Sequence, residues 1–330
     1  MEKRGYAAIV RLSVRHVHGP RRIDYGRDEV LAISVVRNGE LHVRSFLDHH
    51  FALGVKHIVL LLNDSTDATA AIAATYPNVT LVRCDLPYSR YENLMKRYLA
   101  QRFSAGRWNL CVDIDELFDY PNSDQVALRA VLTYLNEHRY TAVVAQMLDM
   151  FADGPLERVR SHPEDRLRDA YPFYDISAIR KADYYFSRIT NPDVMLHFGG
   201  IRSQVFRTGN GLTKAALVKV EPEIELFVTW HHVNGATLAD FTCVILHYPF
   251  VETFVAKVAD AVSTGRYGYF VSDEYQRYWE GISQGESLIL RKDSARELEA
   301  LTELLDSGFL VHGPQFAEWY AARLAAAAPA

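Results

Sequence analysis

Three cysteines in 330 residues, Cys84, Cys111 and Cys243, are too few and too scattered for a disulfide framework or a zinc site. Two of them fall in apolar, strand-like runs, where cysteine usually serves as a small buried hydrophobe. No stretch reaches 18 consecutive apolar residues, which excludes a membrane-spanning helix. The start of the chain carries arginines and histidines but no apolar core of a secretory signal. Positive charge is also short: the net charge is −5 at pH 7, which argues against a basic nucleic-acid-binding surface. No internal repeat and no low-complexity linker is visible. A soluble chain of the reducing cytoplasm is the expectation, working alone or at the inner face of a membrane.

What is present is ordinary for a folded enzyme-sized chain, with 49% hydrophobic and 23% charged residues. The 19 tyrosines and 16 phenylalanines could stack on sugar rings, although aromatics also fill cores. Residues 1–27 are basic and read as an irregular lead-in. From there a rhythm sets in. "VLAISVV" (30–36), "HIVLLL" (57–62), "VTLVR" (79–83) and "WNLCVDID" (108–115) are continuous apolar runs of the kind that form strands buried on both faces. Amphipathic or capped segments separate them: "NGELHVRSFLDHHFALG", "NDSTDATAAIAATYP" and "RYENLMKRYLAQRFS". Strand and helix alternating at this spacing predict an α/β fold, a mostly parallel, mixed central sheet flanked by helices. A helix near 123–138 and a strand at "YTAVVAQMLDM" continue it. Residues 150–195 loosen into a Pro- and Tyr-rich stretch expected to be a functional loop or lid. "LHFGGIRSQVFRT" (196–208) and "AALVKV" (215–220) read as further strands. The chain from 251 on reads as helical. The expected division is a lead-in (1–27), one α/β domain (28–250) and a C-terminal helical extension (251–330) packed on it.

Ligands of open α/β sheets bind beyond the carboxyl ends of the strands. Here those ends deliver Arg37-Asn38, Asn63-Asp64-Ser65, Arg83 with Asp85, and Asp113-Ile114-Asp115 to one edge. In extended backbone Asp113 and Asp115 share a face, about 6.6 Å apart at Cα. Two such carboxylates repel, and a divalent cation removes the repulsion while recruiting a phosphorylated ligand. A solvated turn is the plain alternative. A calcium loop starting at Asp113 fails, because Phe118 and Asp124 stand at its sixth and twelfth positions. An aspartyl-nucleophile phosphatase also carries D-x-D, but on its first strand and without the Glu116 that follows here.

"VVRNGELHVRSFLDHHFALGVKHIVLLLNDSTDAT", "WNLCVDIDELF", "GGIRSQVF" and "LHYPF" together resemble the glycosyltransferase family 2-like proteins, in the group that takes in family 92-like sequences. The resemblance covers roughly residues 29–260. It implies the GT-A fold, a nucleotide-sugar donor (by family habit a UDP-sugar), Mn²⁺ or Mg²⁺, and inverting sugar transfer to a saccharide or lipid-linked acceptor, as in polysaccharide biosynthesis. Asn38-Gly39-Glu40 departs from the family pattern, and Asn63 stands where many relatives have aspartate.

Carried over by position, the resemblance implies that Arg37, Asn38, Asn63, Asp64, Arg90 and Asp113 hold the nucleotide sugar. Asp113 and Asp115 would hold the metal with His247 of "ILHYPF", a residue that could equally be a packed core histidine. Ser65 and Asp67 are expected to cap the next helix rather than touch ligand. An inverting transfer needs a general base on the acceptor side. Asp149 in "QMLDMF" and His232 in "TWHHVNG" are the two candidates, and either could instead cap or line a turn. Gly199, Gly200 and Arg202 are expected on the acceptor or phosphate side, with Lys214 and Arg207 as weaker candidates. A catalytically silent nucleotide-sugar-binding or scaffolding relative is the competing reading.

Overall fold

The computed structural model describes residues 2–229, 231–284 and 287–327. In chain order the elements are α1 (Glu2–Ser13), β1 (Arg15–His18), β2 (Val30–Val36), α2 (Glu40–Leu53), β3 (His57–Leu62), α3 (Thr69–Ala73), β4 (Val79–Arg83), α4 (Tyr88–Ser104), β5 (Trp108–Cys111), β6 (Glu116–Asp119), α5 (Leu128–Glu137) and β7 (Ala142–Asp149). Then follow α6 (Leu167–Ala170), β8 (Phe173–Tyr174), β9 (Ile179–Asp183), β10 (Met195–Gly199), α7 (Gly200–Phe206), β11 (Thr213–Lys219), β12 (Leu238–His247), α8 (Phe254–Thr264), α9 (Tyr269–Ser283), β13 (Arg296–Glu297), α10 (Glu303–Asp306) and α11 (Pro314–Ala327).

Nine strands form one sheet in the order β1-β4-β3-β2-β5-β11-β7-β12-β6. β2, β3, β4, β5, β7 and β12 point one way, and β1, β11 and β6 run against them. The molecule is therefore a mixed α/β fold with a largely parallel central sheet flanked by helices, as the strand–helix rhythm predicts.

Alternation along β2 shows why every residue of that run is apolar or small. Val30, Ala32 and Val36 face a core shared with α2, α5 and α11, while Leu31, Ile33 and Val35 face a core shared with α4. A strand covered on both faces has no position left for a solvated side chain. A third, smaller core joins Ile201 and Phe206 of α7, Phe254 and Val258 of α8 and Tyr278 of α9.

Three expectations change. The first residues are not an irregular lead-in: α1 packs on α4, and β1 closes the sheet edge against β4. The run 108–115 is not one strand. β5 ends at Cys111, the chain turns with Glu116 N–H donating to the Asp113 carbonyl at 3.0 Å, and β6 sets off to pair with β12. "LHFGGIRSQVF" is half strand and half helix. Gly199 and Gly200 take φ of +99° and +70°, break β10 and start α7. Ile201, Val205 and Phe206 stand at i, i+4 and i+5, a helical spacing that the strand reading passes over. Among the described residues no helix is long and apolar enough to cross a membrane.

Candidate functional site

The parallel strands bring their carboxyl ends to one edge, and the polar residues that end β2, β3, β5, β7 and β12 meet there. The chain after β12 folds back as α8 and α9 over this edge. Lys257 and Asp260 of α8 reach Asp115 and Arg37. Arg266, in the α8–α9 turn, donates to Asn63 Oδ1 at 3.2 Å and lies over the Tyr88 ring.

Asp113 sits at the centre of a buried ionic cluster. Its Oδ1 meets Lys96 Nζ at 3.1 Å and its Oδ2 meets Lys214 Nζ at 3.2 Å. Lys214 also lies 2.6 Å from Glu116 Oε2, and Lys96 lies 2.9 Å from Glu92. Glu116 in turn accepts the Asp113 backbone N–H at 2.7 Å. Lys96 and Lys214 are each only 1% exposed. Burial alone would raise the Asp113 carboxyl, but Lys214 and Lys96 outweigh it and hold it far below the usual range. Glu116 goes the other way: burial pushes it up, against the pull of Lys214.

Asp115 belongs to a second line of contacts. Its Oδ2 is 3.2 Å from Lys257 Nζ and 3.9 Å from His247 Nε2. His247 Nδ1 donates to Asp149 Oδ1 at 2.6 Å, and Asp149 Oδ2 accepts from Arg202 Nε at 2.7 Å. Arg202 is held further by Glu274 at 3.1 Å. With Nδ1 turned to Asp149, Nε2 is the ring nitrogen that faces Asp115. Burial raises the Asp115 carboxyl, and Lys257, then His247 and His42, bring it well below the usual range. His42, buried beside this group, donates from Nε2 to the Tyr248 carbonyl at 3.2 Å.

The remaining positions spread along the edge. Arg37 pairs with Asp260 at 2.9 Å and lies 3.9 Å from Asp64. Asn38 and Asp64 are exposed, with φ of +50° and +60°. Asn63 is buried, its amide donating to the carbonyls of Cys84 and Leu86. Ser65 Oγ accepts the Asn38 N–H, and Asp67 accepts the N–H of Thr69 and of Glu40. Glu40 returns the contact to Ala68 N–H at 3.1 Å, so the displaced glutamate ties α2 to α3. Arg90 does not face the edge. It bonds to the Tyr6 hydroxyl of α1 and lies 4.7 Å over that ring. Lys96, six residues on along the same helix, makes the contact with Asp113.

His232 stacks on Phe186 at 4.1 Å with the rings 9° apart, and its Nδ1 is 3.2 Å from the Tyr184 hydroxyl. Burial lowers it to about 4, so it is a neutral imidazole at pH 7. Asp149, the other expected base, is 5% exposed and spends both oxygens on His247 and Arg202. Arg202 is likewise committed. Gly199 and Gly200 serve the β10–α7 turn, since a Cβ on Gly199 would lie 2.5 Å from the Ala178 carbonyl.

As arranged, the expected metal set does not fit a divalent ion. Asp113 has an ammonium on each oxygen, and only Asp115 and His247 face each other. Among the described residues no three His, Cys, Asp or Glu side chains converge as a metal site would require.

No family model matches this chain, and no curated protein matches it. Two solved structures share some of its chain path. One is 4-diphosphocytidyl-2C-methyl-D-erythritol synthase, 12% identical, covering 43% of this chain and 65% of that one, with a TM-score of 0.24. The other is UDP-glucose pyrophosphorylase complexed with UDP-glucose, 6% identical, covering 85% of this chain and 97% of that one, with a TM-score of 0.28. The aligned part spans just under two thirds of the first enzyme's length. At TM-scores below 0.5 neither likeness establishes a shared fold.

Proposed function

We propose that this chain is a glycosyltransferase of the GT-A type, moving a sugar from a nucleoside-diphosphate sugar, UDP being the first candidate base, to a saccharide or lipid-linked acceptor hydroxyl. The observation that carries the reading is the convergence at one sheet edge. Asp113, Asp115 and His247, the positions at which the sequence resembles glycosyltransferase family 2-like proteins, stand at the ends of β5 and β12, flanked by Lys257, Arg37 and Arg266. Acids, cations and an amide collected beyond parallel strand ends suit a nucleoside diphosphate. The segment from Arg37 to Asn63 and Arg266 is the proposed nucleoside side. On the acceptor side, His232 is the proposed base, because it is neutral at pH 7 and Asp149 is committed. Its depressed pKa makes it a modest base, one that deprotonates an acceptor hydroxyl only as the sugar bond breaks.

The commitment of Asp149 also favours a second reading, a nucleotide-sugar-binding relative without turnover. Incubation with a panel of nucleotide sugars, followed by an assay for released nucleoside diphosphate, separates the two. The proposal expects release that His232→Ala lowers by roughly 10²–10⁴ while donor binding persists. Donor binding without release in the wild type, with or without acceptor, would support the silent relative instead.

A further inference from the structure

Carboxylates such as those of Asp113 and Asp115 attract a divalent cation only if nothing else neutralises them. Here three lysines do. Lys96 and Lys214 each take one oxygen of Asp113, at 3.1 and 3.2 Å, and Lys214 also takes Glu116 at 2.6 Å. Both stems are buried, so neither ammonium can swing out to solvent and leave Asp113 to a metal. Lys257 takes Asp115 Oδ2 at 3.2 Å, but from a different position: its side chain is 42% exposed, on α8. Of the three it is the one whose side chain is exposed, the other two being 2% and 1%. His247 Nε2, 3.9 Å from the same oxygen, completes the surroundings of a cation already supplied by the chain.

We propose that Lys257 Nζ is the resident cation of this cleft, standing where a divalent ion would bridge Asp115, His247 and a diphosphate, so that the diphosphate is bound without a metal. The inference rests on the nucleoside-diphosphate reading above, but its cation half can be tested without any nucleotide. A divalent ion placed on Asp115 would lie close to the Lys257 ammonium and meet its repulsion at short range. Removing the ammonium should therefore create the metal site that the wild type lacks, formed by Asp115 and His247.

The test uses Mn²⁺ as probe, followed by electron paramagnetic resonance of the free ion, on the full chain. The wild type should leave Mn²⁺ free at concentrations up to about 1 mM, while Lys257→Ala takes up one ion per chain at least about tenfold more tightly. The double variant Lys257→Ala/Asp115→Asn should lose that ion again. Calorimetry with UDP forms the second arm. Wild-type affinity should be the same in EDTA and in Mn²⁺, and Lys257→Ala should lose affinity in EDTA and recover it with Mn²⁺. A wild type that binds one Mn²⁺ tightly through Asp115, or whose UDP affinity rises tenfold or more on adding Mn²⁺, overturns the proposal. If Lys257→Ala gains no Mn²⁺ site, the ammonium was not standing in a cation's place. Should UDP bind no form under either condition, the nucleotide reading of the site falls, and the Mn²⁺ titration still decides what occupies the cation position.

Discussion

Replacing Lys214 by methionine tests whether the ionic cluster around Asp113 is structural. Lys214 enters the sheet edge on β11 and is 1% exposed, with Glu116 at 2.6 Å and Asp113 at 3.2 Å. At an effective dielectric of about 20 those distances correspond to gross attractions of roughly 6 and 5 kcal/mol. Desolvating the ammonium and the carboxylates cancels much of this, and truncating one partner of a buried pair typically costs about 3–5 kcal/mol. In a chain of this size that corresponds to a Tm lower by roughly 4–7 °C. Methionine fills a similar volume, so the loss reports charge rather than a cavity.

The pH dependence carries the sharper signature. Glu116 is already pushed up by burial against Lys214. Without the ammonium its folded pKa climbs further above the unfolded value. A carboxyl with a raised folded pKa contributes its stability below the unfolded pKa and loses it as pH rises through the folded one. The deficit of Lys214→Met, measured against wild type in differential scanning fluorimetry, should therefore be largest at pH 7–8 and shrink toward pH 5. Adding Glu116→Gln should recover about half of it at pH 7, since glutamine keeps an oxygen for the Asp113 N–H without burying a charge. A single variant within about 2 °C of wild type at pH 7, or a double variant no better than the single one, would refute the assignment of Lys214 as the buried counter-ion of Glu116.

Two further outcomes follow from the wild-type structure. His50, His57 and His197 are each under 5% exposed, and burial lowers them to about 3, 4 and 3. Their depressed folded values mean that stability is fully present above an unfolded pKa near 6.5 and is lost as pH falls toward 4; at pH 5 each removes roughly 2 kcal/mol, read as a falling urea midpoint between pH 7 and 5, and a flat midpoint over that range would contradict it. Gly199→Ala combines a φ of +99° with a Cβ 2.5 Å from the Ala178 carbonyl, in a strand pair fixed by the Gly199–Ile179 register, so it should cost about 1–3 kcal/mol in thermal unfolding, whereas an unchanged Tm would mean that the turn relaxes freely.

The parallel half of the sheet was legible because its strands are buried on both faces. β2, β3 and β4 begin and end where their apolar runs do, since a polar residue inside them would have no water to reach. β5 was read too long, because Val112, Ile114 and Leu117 continue the apolar pattern through a turn that only the Glu116–Asp113 backbone bond defines. The strand ends place Asp113, Asp115 and Asp149 at one edge, and the family resemblance places His247 there; in the structure His247 lies 2.6 Å from Asp149 and 3.9 Å from Asp115. Their partners did not follow. Lys96, Lys214 and Lys257 approach the acids from other elements, and Lys214 and Lys257 are about a hundred residues or more away in sequence. A single lysine in an amphipathic helix reads as a solvated residue. The one available hint was Lys214 standing directly before "AALV", a charge at the mouth of a buried strand. The resemblance points to Arg90 by motif position, whereas Lys96 shares the buried face of α4 with Met95 and Leu99 and Arg90 lies on the exposed face.

The same contacts divide the acidic pair into two kinds of residue. Asp113, with Lys96, Lys214, Glu92 and Glu116, forms a set of ion pairs in which both lysines and Glu116 are buried while the Asp113 side chain stays 29% exposed. Such a cluster ties β5, β11 and α4 together. Asp115 starts a chain that runs the other way. Arg202 fixes Asp149, Asp149 fixes the His247 ring, and Asp115, with His247 on one side of it, meets Lys257, whose side chain is 42% exposed. Ile114 separates the two, its side chain set against Gly39 so closely that a Cβ there would lie 2.9 Å from Ile114 Cγ1. Packing of that one residue holds the carboxylates in different environments although they are two positions apart. A buried, mutually satisfied network is what structure alone requires. The Asp115 line instead commits four groups, Arg202, Asp149, His247 and Asp115, to the position of one lysine whose side chain is 42% exposed.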